Sequence, residues 1–207
     1  MKAFPTVFAA DAQPLSVAEL GGHAAEAAQH LTTQGYEVRL GLTPAYAEQI
    51  LTMAQEPNIR EYCPKDSSER FAGREATEHW LSKGRAFFLL VKREDQSLVG
   101  YGWAGPAANA HVPAGEVTFA LRIGEAGHGQ GLAAPFSWLI VAATAKLYEA
   151  QKFWLETWTS NGAAVHIYHK LGFETVAEAP GHRPTAGGGQ VADTRLYMQL
   201  PDASLST

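Results

Sequence analysis

His128-Gly129-Gln130-Gly131-Leu132-Ala133 decides how this chain is read, together with Asn161-Gly162-Ala163-Ala164 and Tyr168-His169-Lys170-Leu171-Gly172-Phe173 further along. The first stretch stands between an extended apolar run, Val117 to Ile123, and a helical one, Leu132 to Tyr148. A strand, a glycine-rich turn and a helix N-terminus aim several backbone N–H groups at one spot, where the helix dipole also favours an anion. Gly127, Gly129 and Gly131 would let a phosphate approach the backbone with no Cβ in the way. An ordinary strand-to-helix turn that uses glycine only for its φ freedom fits the same letters equally well. Two other phosphate motifs are missing. The lysine of a G-x-x-x-x-G-K-[ST] loop is absent, and no acidic residue ends a parallel strand about 20 residues on, so neither a nucleotide hydrolase nor a dehydrogenase is favoured.

The second block supplies a different kind of chemistry. If Asn161 caps a helix from Gly162 to Leu171, Tyr168 lies about two turns on and addresses the same face. Gly172 then provides the left-handed position that ends the helix, and Phe173 opens a strand. A tyrosine so placed can donate a proton to a leaving group within hydrogen-bond reach. Its plainer alternative is a packed ring with a wet hydroxyl.

Taken as a pair, the blocks resemble those of the GCN5-related N-acetyltransferase family, [R/Q]-x-x-G-x-[G/A] before a helix and N-x-x-A-x-x-x-Y-x-K-x-G-F later. Asn161, Ala164, Tyr168, Lys170, Gly172 and Phe173 match the second, and Gly131 and Ala133 the first. His128 departs from the family's Arg or Gln, at a position that serves the pyrophosphate largely through backbone amides. The resemblance covers Tyr36 to Leu200. It implies an α/β layered fold with a mixed, mostly antiparallel central sheet flanked by helices, splayed where acetyl-coenzyme A enters as co-substrate. It also implies direct attack by a primary amine, of a small molecule or a peptide, in a ternary complex without a covalent enzyme intermediate. Carried over residue by residue, pantetheine would pair near Leu121 and Ile123. The pyrophosphate would meet the His128 position and the amides of Gly129, Gln130, Gly131, Leu132 and Ala133. Asn161 would touch the pantetheine arm, Tyr168 would protonate the leaving thiolate, and a homodimer is the family expectation. Two alternatives stay open: a catalytically silent coenzyme A module, and a transferase for a longer acyl group.

Glu116 is the candidate general base, as a carboxylate at the start of the strand before the glycine loop; a solvent-exposed strand end is the alternative. One residue of register would turn it to the wrong face. Arg122 faces opposite to Leu121 and fits a cap on the sheet edge.

Composition narrows the field further. The 207 residues carry a formal net charge of −5, which disfavours a nucleic-acid partner that needs a broad basic surface. The lone Cys63 rules out an internal disulfide framework and any zinc site built on several thiolates. His166 and His169 stand three apart on the proposed helix but suggest no third ligand, so no metal is expected. No stretch approaches the roughly 20 apolar residues of a membrane span. Pro5 interrupts the short apolar patch within Met1 to Ala12, and a cytoplasmic location is expected.

Along the chain, residues 1–35 form a partly helical arm whose Gly21-Gly22 pair should split or fray its helix, and residues 36–207 form the transferase domain. The arm could pack on the domain, pair with another subunit, or extend freely. Strands are expected at Tyr36–Leu42, Ala86–Lys92, Leu98–Ala104, Glu116–Ile123, Gln151–Thr159, Phe173–Glu178 and Thr194–Leu200. Helices are expected from Pro44, from Ser68 to Lys83, and in the two signature blocks. The run Phe87-Phe88-Leu89-Leu90-Val91 does not alternate and suggests a strand buried on both faces. Helix and loop residues from Glu56 to Phe71, with a loop through Pro57 and Cys63, are expected to help shape the acceptor pocket. The resemblance implies that His182 and Arg183 border it too, and exposed loop residues are the equal alternative. These two lie in a loop that also holds Gly181 and Gly187 to Gly189.

Overall fold

The computed structural model describes residues 11–18, 20–185 and 187–201; most of the Met1 to Ala12 patch therefore lies outside the described residues. Chain order begins with β1 (Gln13–Pro14), α1 (Gly22–Thr33), β2 (Tyr36–Leu40), α2 (Pro44–Met53), α3 (Pro57–Tyr62) and a π turn (Asp66–Arg70). There follow α4 (Arg74–Leu81), β3 (Ala86–Lys92), β4 (Leu98–Pro106), β5 (Val117–Ile123) and a 3-10 turn (Glu125–Gly127). The chain closes with α5 (Ala133–Tyr148), β6 (Phe153–Trp158), α6 (Gly162–Lys170), β7 (Glu174–Pro184) and β8 (Gln190–Leu200).

The strands form one sheet in the order β1-β2-β3-β4-β5-β6-β8-β7. Every neighbouring pair is antiparallel except β5 and β6, which run parallel. β3 is buried from Ala86 to Val91 because helices cover both faces of the sheet there, as its unbroken apolar run requires. On one face Ala24, Ala27 and Leu31 of α1 join Phe136, Leu139 and Ile140 of α5 over Phe88, Leu90 and Phe119. On the other, Tyr46, Ile50 and Ile59 pack with Phe71 and Trp80 against Phe87, Leu89 and Tyr101. Gly102 lets α5 come close: a Cβ there would sit 2.5 Å from Ile140 Cδ1.

Several local expectations change. The arm packs onto the domain, since β1 extends the sheet beside β2 and α1 lies along α5. Gly21, at φ 86°, sets the start of α1 rather than splitting it. The segment after Glu56 forms α3 with Pro57 in its first turn, a position that needs no N–H. The expected Ser68–Lys83 helix is divided into the π turn and α4, with Gly73 as the N-cap of α4. Gly181, His182 and Arg183 belong to β7, where they pair with Asp193, Ala192 and Val191 of β8.

Candidate active site

β5 and β6 pair at only two positions, Val117 with Phe153 and Thr118 with Trp154, and then part. Gly124 N donates to Val99 O at 2.9 Å, so the even-numbered residues of β5 turn their peptide groups toward β4. Those of Phe119, Leu121 and Ile123 therefore face the gap. A cavity of about 550 Å³ opens there. Its walls are Leu121, Arg122 and Ile123 of β5, the glycine loop with the start of α5, Asn161 and α6, and Asn58, Ile59, Tyr62 and Cys63 from the α3 side.

Gly129 and Gly131 both have φ of 72°, the left-handed region in which an L side chain is strained, and the space a Cβ would occupy is open at each. The φ requirement explains both glycines, and the open side faces the cavity. Leu132 caps α5 without a side-chain acceptor, which leaves the first-turn N–H groups for whatever enters. Gln130 is not among the residues that line the cavity: its side chain donates to Ala126 O at 2.7 Å and accepts from the Tyr36 hydroxyl. His128 turns its ring away from the loop, with Nε2 at 3.1 Å from Ile123 O and 3.0 Å from Asn58 Nδ2.

Asn161 caps α6 as the sequence suggests, its Oδ1 accepting from Ala164 N at 3.4 Å. Two turns on, Tyr168 lies 7% exposed with its ring among Phe119 and Phe173. Burial pushes its phenol up to about 12, partly offset by the charge of Arg122, so at neutral pH it carries its proton. Leu121, Ile123, His128, Gly129, Gly131, Leu132, Ala133, Asn161 and Tyr168 thus meet around one cavity.

Glu116 does not join them. It sits at the other end of β5, exposed, where its Oε2 accepts from Gln151 N at 3.0 Å and Lys152 N at 3.3 Å. Five residues of strand put it about 16 Å from the Leu121 end, too far for a base acting on the cleft. No Asp or Glu lines the cavity among the described residues.

The charged feature that the letters did not give away is a buried cluster under β5. Asp66, fully buried in the π turn, accepts from Arg122 Nε, Arg70 Nη1 and the Tyr101 hydroxyl, each at 2.8 Å. Burial alone would raise its carboxyl; the two guanidiniums and the hydrogen bonds outweigh that and hold it below the usual range. Arg122 Nη1 reaches back to Leu121 O at 2.7 Å, so the guanidinium stands at the gap rather than capping an outer edge. Burial also raises the Cys63 thiol, which argues against a thiolate nucleophile. Arg183 is structural: nearly buried, it pairs with Glu61 and, at 3.1 Å, with Asp193, tying α3 to the β7–β8 hairpin.

The acetyltransferase (GNAT) domain model matches residues 39–174. The chain belongs to the GNAT acetyltransferase family. Among solved structures, it resembles a spermidine N-acetyltransferase from Vibrio cholerae in complex with CoA and spermine. The TM-score is 0.68 at 18% identity, over 84% of this chain and 99% of that one. A ribosomal-protein-S5-alanine acetyltransferase from Vibrio fischeri matches with TM-score 0.64 at 14% identity, over 84% and 96%. An N-acetyltransferase from Staphylococcus aureus matches with TM-score 0.62 at 15% identity, over 81% and 98%. At these identities the likeness concerns the fold. No curated protein matches the sequence.

Proposed function

We propose that the chain transfers the acetyl group of acetyl-coenzyme A to a primary amine by direct attack in a ternary complex. The observation that carries this reading is that both signature blocks line one cavity at the point where β5 and β6 part. The pyrophosphate meets the amides of residues 129 to 133 at the start of α5, where peptide N–H groups and the helix dipole favour an anion. Pantetheine pairs with the gap-facing peptide groups of Leu121 and Ile123 as an added strand would, with Asn161 donating from the opposite wall. The bound coenzyme supplies the activated thioester.

The acceptor's nitrogen lone pair attacks the thioester carbonyl, the C–S bond breaks, and the leaving thiolate takes the proton of Tyr168. A phenol held protonated by burial suits that role. With Glu116 remote and no carboxylate in the cavity wall among the described residues, the amine arrives as its free base. Below the amine's pKa, kcat/KM for a given acceptor should then rise about tenfold per pH unit and level off at that pKa, and the plateau should move with the acceptor. Calorimetric titration with acetyl-coenzyme A, followed by thiol release in the presence of an amine panel, tests the reading. A folded chain that does not bind acetyl-coenzyme A refutes it at its first step.

A further inference from the structure

Arg122 stands on the part of β5 that has left β6, past the last pair at Thr118, with only 11% of its side chain exposed. Its fork is half committed, Nε to Asp66 and Nη1 to Leu121 O. Asp66 also serves Arg70, so one carboxylate faces two guanidiniums and the buried cluster keeps a net positive charge. The neighbouring acids do not offset it. Glu61 and Asp193 are both taken by Arg183, and Glu156 lies 3.8 Å from Arg195, whose guanidinium covers the Trp158 ring at 3.6 Å. The Cys63 thiol, in the same cavity wall, feels three arginines, Arg122, Arg70 and Arg195, against the single carboxylate of Asp66.

A second ammonium brought beside this guanidinium would be repelled in a poorly solvated place, whereas a carboxylate would gain charge-assisted hydrogen bonds from a pre-organised fork. We propose that the acceptor is a primary amine with a carboxylate a few bonds from its nucleophilic nitrogen, and that Arg122, held by Asp66, selects it. The proposal rests on the transferase reading above. In the reaction the amine nitrogen bonds to the acetyl carbon, the C–S bond breaks and the thiolate leaves as the thiol with the Tyr168 proton. The nitrogen sheds one proton to solvent, which restores Tyr168, and the carboxylate is unchanged. A free amino acid and a peptide beginning with an acidic residue share this chemistry.

The test uses the full chain with acetyl-coenzyme A and follows thiol release. The acceptors are free amino acids, their carboxamides, dipeptide amides beginning with aspartate, and spermidine, with rates expressed per free-base amine. Carboxylate-bearing acceptors should exceed the matched carboxamides at least tenfold in kcat/KM, with spermidine lowest; aspartyl peptides ahead of free amino acids would identify the peptide source. Arg122→Gln should raise KM at least tenfold more for the acids than for the matched carboxamides, and Arg122→Lys should recover part of that difference. Carboxamides or spermidine equal to the acids would overturn the proposal. So would an Arg122→Gln variant that lowers kcat equally for every acceptor, which would put the guanidinium on the transferred carbonyl instead. If Arg122→Gln does not fold, the unmodified chain's panel alone decides. Acetyl-coenzyme A binding with no turnover of any panel member rejects the acceptor class but not the cofactor site; failure to bind acetyl-coenzyme A rejects the transferase reading beneath it.

Discussion

Replacing Gly129 and Gly131 together by alanine tests the phosphate loop through its backbone rather than through lost contacts. Both residues stand at φ of 72°, and the open space around each means that an added methyl collides with nothing. The penalty is therefore conformational, about 1–2 kcal/mol per L-residue held in the left-handed region, or roughly 2–4 kcal/mol for the pair. Where that free energy appears depends on the free loop. If the loop keeps its shape, the folded state bears the cost, and at roughly 2–4 °C per kcal/mol for a chain of this size the midpoint falls by about 4–16 °C. If the loop relaxes, stability is spared. Acetyl-coenzyme A must then drive the loop back, and its affinity drops by about 30- to 700-fold at 1.4 kcal/mol per decade. The bound state bears the sum in either case, so thermal melts and calorimetric titration must be read together. Gly129→Asn with Gly131→Asn is the control, because asparagine visits this region more readily and should cost less. A double alanine variant that matches the parent in both midpoint and affinity would refute the proposed loop geometry.

Other expectations follow from the buried charges. Asp66→Asn leaves Arg70 and Arg122 buried without their carboxylate and should cost about 3–5 kcal/mol in a denaturant melt, a loss an exposed ion pair would not give. Tyr168→Phe should lower kcat about 100- to 10,000-fold with little change in the KM for acetyl-coenzyme A. With its phenol raised to about 12 against 10.0 unfolded, Tyr168 adds stability that is full below pH 10 and is lost as pH rises to 12. The loss amounts to about 3 kcal/mol, and Tyr168→Phe should flatten that part of the stability curve. Glu116→Gln should leave kcat within twofold, because its carboxylate braces the Gln151 and Lys152 amides away from the cavity; a drop of a hundredfold would return it to the reaction.

Where the sequence was legible, the signal was local. The glycine loop, the Asn161 cap and the apolar β3 each follow from a handful of adjacent residues whose φ values, capping or burial leave few alternatives. Glu116 shows the limit. The letters bear on which face of the strand it occupies, but position along the strand decides the matter, and that depends on where β5 parts from a strand far off in the chain. Asp66 and Arg122 were harder still, being 56 residues apart, one in a stretch expected as loop and the other the lone charge within β5. A charged residue inside an otherwise apolar strand signals a buried partner, but not which acid provides it.

The opened sheet raises a question of backbone accounting that links these residues. Beyond Thr118, β5 has β4 on one side and, among the described residues, no strand on the other, and a buried peptide group without a partner costs about 1–3 kcal/mol. Two of the carbonyls that face the gap are covered by side chains: Arg122 Nη1 donates to Leu121 O at 2.7 Å, and Asn58 Nδ2 to Ile123 O at 3.3 Å, with His128 beside it. The first donor is a chain neighbour fixed in place by the distant Asp66, and the second is carried to the gap by α3. A ligand entering the gap exchanges hydrogen bonds with these side chains rather than meeting bare backbone, so binding gains less from each carbonyl than from the N–H groups beside it. The family's usual Arg or Gln before the glycines is a histidine here, and its ring helps close the Ile123 carbonyl. With the ring held at the edge of the gap, the proposed anion site would consist of the glycine amides and the start of α5 alone.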